Sequence, residues 1–245
     1  MTSKVQEFEK EREDRINSYA KRTPLLEAAK HFNDESNKAQ YSYNFSWMGR
    51  PIIQYPQDML AMQELIWEIK PDLIIETGIA HGGSLIYYAS ILELIGKGEV
   101  LGIDIDIREH NKVEIEKHPM FKRIKMIQGS AIDPNIVAEV KEHTIDKKVV
   151  MVCLDSNHTH EHVLAELEMY QSFVTKDSYL VVFDTIVEVL PEGYFTQSRP
   201  WGVGNNPQTA VFEFLKSNKD FIINEQIDNK LLISVAPKGY LKRIN

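Results

Sequence analysis

The 245-residue chain is long enough to bury a full core as one sizeable α/β domain, without disulfide or metal staples. Its 36 acidic residues outnumber its 28 basic ones, giving a formal net charge of -8; that balance argues against nucleic acid as a partner and favours a small-molecule or glycan substrate. The single cysteine, Cys153, sits in an apolar run, which excludes an intramolecular disulfide and suits a reducing cytoplasm; no apolar run approaches bilayer length and the charged start has no signal-peptide core.

In chain order, residues 4–22 mix charges with scattered apolar side chains, the pattern of an exposed helix or of a dimerisation arm in a homo-oligomer. Residues 1–40 are therefore set apart as a helical arm from a domain over 41–245. The aromatic, turn-rich stretch 41–51 reads as a loop packed across that domain. Pro56 opens a helix whose apolar stripe is Met59, Met62, Leu65, Ile66 and Ile69. Strands near 72–77, 99–104, 123–128, 148–154 and 178–183 then alternate with helices near 84–95, 109–117, 134–142 and 160–172. Such alternation requires right-handed crossovers and a mostly parallel sheet with helices on both faces. At the end, the apolar runs 221–224 and 231–235 flank Asp228-Asn229, a turn signal, and predict a terminal antiparallel hairpin. There is no internal repeat.

The chemistry-bearing features stand where the strands end. The segment 74–84 runs from a β-branched strand into Gly78, Ile79, Ala80, His81, Gly82, Gly83 and Ser84, with Glu76 at the strand end. Glycines there let the backbone turn sharply and lie against a ligand. A dinucleotide fold wants G-x-G-x-x-G. Here the middle glycine is absent, which suits a ligand without a diphosphate, S-adenosylmethionine (SAM) being the candidate. The following strand ends in Asp104, where a ribose-binding acid belongs. A plain strand-to-helix turn with a solvated Asp104 is the alternative.

Beyond the later strands come Ser130, then Asp155, Ser156, Asn157 and His158, then Asp184. Two carboxylates at neighbouring strand ends, with open positions left for substrate, describe a Mg²⁺ or Mn²⁺ site, and His158 between them can take a proton. Asp155 as a helix cap and Asp184 as a turn residue are the competing readings. A zinc site of His158, His160 and His162 is disfavoured by spacing and by the lack of a cysteine.

Over roughly residues 40–240 the chain resembles the cephalosporin hydroxylase family of SAM-dependent O-methyltransferase-like proteins and, more distantly, metal-dependent macrolide sugar O-methyltransferases. The resemblance is carried by the stretch from Trp47 to Asp58, by Glu76-Thr77-Gly78 with Gly82-Gly83-Ser84, by Asp155-Ser156-Asn157-His158-Thr159, and by the stretch from Trp201 to Pro207. It implies a class I methyltransferase (Rossmann-like) fold, with Glu76, Gly78, Ala80, Gly82, Ser84, Asp104, Ser130 and Asp155 around SAM. It further implies Asp155 and Asp184 on the cation and His158 as general base. One departure stands out: the relatives tend to carry an acid just before the Asp184 position, and this chain has Phe183 there.

The function expected is SAM-dependent methyl transfer to a hydroxyl of a sugar, nucleotide-sugar or glycoside. Its rivals are a non-haem iron oxygenase, a nicotinamide-dependent oxidoreductase and a catalytically silent SAM-binding scaffold. The long connection 186–207, with Glu188, Tyr194, Phe195, Arg199 and Trp201, is expected to close over the acceptor together with residues 43–55.

Overall fold

A computed structural model describes residues 3–191, 194 and 199–245. Two helices come first, α1 (Lys4–Tyr19) and α2 (Thr23–Lys38). Ser3 and Gln6 form a capping box at the start of α1, and none of its sixteen residues is buried. The arm is tied to the rest of the molecule through α2, where Ser36 Oγ and Asn37 Nδ2 lie 2.8 and 2.9 Å from the buried Tyr55 hydroxyl.

Residues 45–52 differ from the loop expected. They form a two-stranded antiparallel ribbon, β1 (Phe45–Trp47) and β2 (Arg50–Ile52). Met48 and Gly49 both take positive φ, 45° and 87°, the twist that a two-residue hairpin turn needs. The ribbon is anchored by Trp47, which donates from Nε1 to Ser90 Oγ at 2.9 Å and meets the Tyr87 ring edge-on. Next comes α3 (Pro56–Ile69), with the expected proline in its first turn and Met62, Leu65 and Ile66 buried.

The central sheet alternates as read from the sequence: β3 (Leu73–Thr77), α4 (Gly83–Ile95), β4 (Glu99–Asp104), α5 (Glu109–Glu116), β5 (Ile124–Gln128), α6 (Pro134–Thr144), β6 (Val150–Leu154), α7 (His160–Tyr170) and β7 (Tyr179–Val182). Then follow α8 (Pro207–Ser217), β8 (Phe221–Ile223), α9 (Glu225–Leu231) and β9 (Tyr240–Arg243). The strand order is β5-β4-β3-β6-β7-β9-β8, parallel except for β9, which runs antiparallel to both neighbours. Successive residues of β3 enter opposite cores: Ile74 packs on one face with Leu85, Tyr88 and Phe183, and Leu73 and Ile75 on the other with Val163, Leu167 and Phe214.

The antiparallel pair is present, but its second strand is not 231–235. Asp228 and Asn229 lie inside α9, which Asn224 caps by accepting from the Gln226 amide. Leu231, the last residue of α9, and Val235, in the loop that follows, are buried, and the strand that returns is Tyr240–Arg243. An apolar run satisfied its burial here without entering a ladder.

That loop is held by a buried acid. Asp58 of α3 accepts from Ser234 Oγ (2.6 Å), the Val235 amide (2.9 Å) and the Tyr240 hydroxyl (2.8 Å). Burial pushes its carboxyl up to about 6, with the negative Asp228 adding to the rise and these hydrogen bonds opposing it. The folded state therefore binds the proton more tightly than the unfolded state does. This contribution to stability is present below the ordinary aspartate range near 3.8 and is lost as pH rises towards 6. Chemical denaturation across pH 4–7 should show the wild type losing on the order of 3 kcal/mol that Asp58→Asn does not lose. Parallel curves for the two proteins would exclude this account.

Candidate active site

The site is built at the C-terminal edge of the parallel strands, where open α/β sheets bind ligands. β3 ends at Thr77 and the chain turns at Gly78, whose φ is +90°. A side chain at 78 would run into the backbone carbonyl of Asp155. The glycine thus serves a backbone-to-backbone approach between two strand ends. Gly83 does the same on the other side, where a Cβ would strike the Pro51 carbonyl. Its absence lets residues 51–54 lie over the first turn of α4.

Asp104, at the end of β4, organises the turn. Its Oδ2 accepts from the Ile79 and Ala80 amides at 2.7 and 3.3 Å, and its Oδ1 from the Asp106 amide at 3.0 Å. Ala80 holds a left-handed φ of 46°, and its carbonyl accepts from Asn111 Nδ2 at 2.9 Å. Arg50 of β2 then clamps the loop by donating to the His81 carbonyl and to Asn111 Oδ1. Sequence reading passed over Arg50, because its partners are 31 and 61 residues away. Glu76 lies wholly buried beneath the loop and accepts from Ser84 Oγ at 2.6 Å. Burial pushes its carboxyl up to about 8, with a smaller rise from Asp104 and a hydrogen bond from Ser84 opposing.

Above the loop is a cavity of about 240 Å³ whose lining includes Gly78, Ala80, Ser84, Asp155, His158 and Asp184. Four residues expected at the site do not line it: Glu76 is buried within β3, Gly82 is the N-cap of α4, Asp104 is the last residue of β4, and Ser130 follows the end of β5. A second cavity of about 400 Å³ adjoins the first and shares Tyr43, Ile53, Asp184 and Arg199 with it. A larger space of about 980 Å³ lies between α1, α3 and α9, lined by charged and uncharged residues, with Lys230 paired to Glu64 in it.

Asp155, His158 and Asp184 converge at the mouth. One ligating atom of each lies within 4.8 Å of the others. His158 Nε2 is 3.1 Å from Asp184 Oδ2, and its ring meets Trp201 edge-on with centroids 4.8 Å apart. Asp184 takes φ 53°, a left-handed conformation in which aspartate is tolerated better than most side chains. Burial holds the Asp155 carboxyl well above the usual carboxylate range, and the charges of Asp184, Glu76 and Glu166 add to the rise. A divalent cation between Asp155 and Asp184 would remove that repulsion, so the donor set fits a hard, oxygen-binding ion.

Asp184 does begin a turn, since its carbonyl accepts from the Val187 amide at 3.2 Å, but the other competing readings fail on geometry. Asp155 caps no helix, since Thr159 is the N-cap of α7 and Asn157 Oδ1 accepts from the Thr159 amide at 2.9 Å. His160 is engaged with Thr209 and Glu213 of α8, and His162 with Ser156, so neither joins His158. Among the described residues the cluster holds one histidine, short of the two that an oxygenase iron site uses. Phe183 is 1% exposed and packs in the core with Tyr179 and Val181, turned away from the cluster.

In the 186–207 connection, Glu188 Oε2 accepts from the Gly204 amide at 2.8 Å and bonds the Asn206 side chain, while Arg199 stacks over Trp201 at 5.0 Å. Phe195 lies outside the described residues. A further acid went unread in the sequence: Glu166 is fully buried in α7 and accepts from Ser156 Oγ at 2.7 Å. The signal was a glutamate on the apolar stripe of Val163, Leu167 and Tyr170.

The sequence model of the family described as "Rhamnosyl O-methyltransferase/CmcI" matches residues 39–244. A rhamnosyl O-methyltransferase of Mycobacterium tuberculosis is 29% identical over 208 residues, 81% of this chain and 78% of that protein. One from Mycobacterium leprae is 30% identical over 143 residues, 57% and 60% of the two chains. Among solved structures, CmcI with Mg and SAM superposes with a TM-score of 0.58 at 20% identity, over 83% of this chain and 78% of that one. An O-methyltransferase from Bacillus cereus in complex with SAH gives 0.50 at 16% identity, over 81% of each chain. At these identities the superpositions establish the class I methyltransferase fold alone.

Proposed function

Because the chain belongs to the rhamnosyl O-methyltransferase/CmcI family, we propose that it is a SAM-dependent O-methyltransferase that methylates a hydroxyl of a sugar or glycoside with the help of Mg²⁺ or Mn²⁺. The observation that carries this reading is the convergence of Asp155, His158 and Asp184 at the mouth of the glycine-loop cavity. Bound SAM would supply a sulfonium-bound methyl group to an aligned oxygen, leaving as S-adenosylhomocysteine, and Asp155 with Asp184 would hold a cation able to polarise the acceptor hydroxyl.

The protein's own part is to place the partners and move one proton. The Gly78–Ser84 loop and Glu76 receive the cofactor at β3. Asp104 retains lone pairs for ribose hydroxyls beside the amides it already holds, and Ser130 bounds the adenine end. His158 takes the proton of the acceptor hydroxyl at the ring nitrogen that does not face Asp184, its imidazole oriented by the Nε2 contact with Asp184 and by the Trp201 ring. The second cavity, with Tyr43, Tyr194 and Arg199 on its wall, takes the sugar, whose C–H faces and hydroxyl edges suit aromatic and polar neighbours. Residues 41–245 form the catalytic domain, and 1–40 form an arm whose exposed α1 is assigned to self-association. The buried lone thiol suits a cytoplasmic enzyme, and no helix of the described residues is long and apolar enough to cross a membrane.

The test is transfer of labelled methyl from SAM to a rhamnoside, coupled to calorimetry of S-adenosylhomocysteine (SAH) binding. Asp104→Ala should weaken SAH by about 1–3 kcal/mol through loss of charge-assisted bonds and of the loop they order. A wild type that binds no SAH would refute the assignment; unchanged affinity in a folded Asp104→Ala variant would refute the placement of the ribose.

A further inference from the structure

Resting on the SAM-dependent reading above, we propose that Gln54 binds the zwitterionic α-amino-acid end of SAM. Gln54 is 6% exposed and lines the same cavity as Ser84, Asp155 and Asp184. Its Oε1 is nevertheless buried without a hydrogen-bond partner. Folded proteins rarely leave a buried carboxamide unpaired, because its lost bonds to water are not replaced. A partner that arrives with the ligand accounts for this one.

The position of the cavity decides which end of the ligand arrives. Its walls include the glycine loop and the cation-holding pair, but not Asp104 or Ser130, which stand where ribose and adenine are placed. What remains of SAM at this end is the sulfonium and the amino acid beyond it. The contact of Gly83 with the Pro51 carbonyl brings residues 51–54 over the first turn of α4, whose leading amides have no carbonyl partner within the helix.

An α-amino acid presents an ammonium and a carboxylate together. A carboxamide offers an acceptor to the first and donors to the second, and adds no charge to a cavity that already holds two carboxylates. A lysine or glutamate at 54 would serve one half of the zwitterion and repel the other.

Two ligands separate the amino-acid end from the rest. SAH carries it, whereas 5′-methylthioadenosine keeps the adenosine and sulfur but lacks it. Calorimetry on the full chain, with wild type, Gln54→Ala and the bulkier Gln54→Leu, should show both variants binding SAH about tenfold more weakly, the loss expected for a hydrogen bond to a charged group. Their affinity for 5′-methylthioadenosine should stay within about twofold of wild type on the same reasoning, which also shows that the pocket has folded. Equal weakening of both ligands would assign Gln54 to the fold, and unchanged SAH affinity would remove it from the site; either result overturns the proposal. A wild type that binds neither ligand overturns the methyltransferase reading, and this proposal with it.

Discussion

Replacing His158 by glutamine is expected to lower kcat by about 10²–10⁴-fold while leaving SAH affinity near that of the wild type, the range a positioned general base contributes. The imidazole has three restraints that a solvated surface histidine lacks. Its Nε2 lies 3.1 Å from Asp184, its ring is fixed against Trp201, and its side chain is only 16% exposed. Glutamine keeps a polar group of similar reach but cannot accept a proton at neutral pH. Single-turnover methyl transfer, with SAH binding measured alongside, checks this. If turnover survives, or if SAH affinity falls in step with kcat, His158 is not the base.

Removing the cation should cost about 10³-fold or more in turnover, since Lewis-acid polarisation supplies several kcal/mol of barrier lowering. The site also allows a reading that does not depend on activity. Burial raises the Asp155 carboxyl, and the charge of Asp184 adds to the rise. Added Mn²⁺ or Mg²⁺ should therefore raise the melting temperature of the wild type, by mass action on the folded state, and leave that of Asp155→Asn unchanged. Full methyl transfer after exhaustive chelation would discard the cation and leave His158 to act alone. An equal thermal shift in both proteins would place the ion elsewhere.

Much of this site is legible in the sequence because of where polar residues interrupt apolar runs. The runs that became β3, β4, β6 and β7 are buried on both faces of the sheet, and each is followed by a residue that the fold places at one edge. Asp155, His158 and Asp184 could thus be grouped before any coordinates. The errors have equally local causes. The 231–235 run is apolar because a loop is buried under Asp58, and pattern alone does not separate that from a strand. The 45–52 ribbon was missed because its turn places a methionine at positive φ, where asparagine or glycine is the usual signal. Gln54, Arg50 and Glu166 escaped for a different reason: each matters through burial or through partners brought near by the fold, and neither is written in residue spacing.

The left-handed backbone at Asp184 narrows which residues evolution can place there. Glycine, asparagine and aspartate adopt that conformation at little cost, whereas β-branched residues do not. Drift at this position is therefore channelled towards side chains that preserve the fold and delete the charge. If Asp184 holds the proposed cation, a lineage can lose that chemistry in one step and keep the fold, and the same exchange, Asp184→Asn, is expected to give a folded variant without the cation-dependent melting shift.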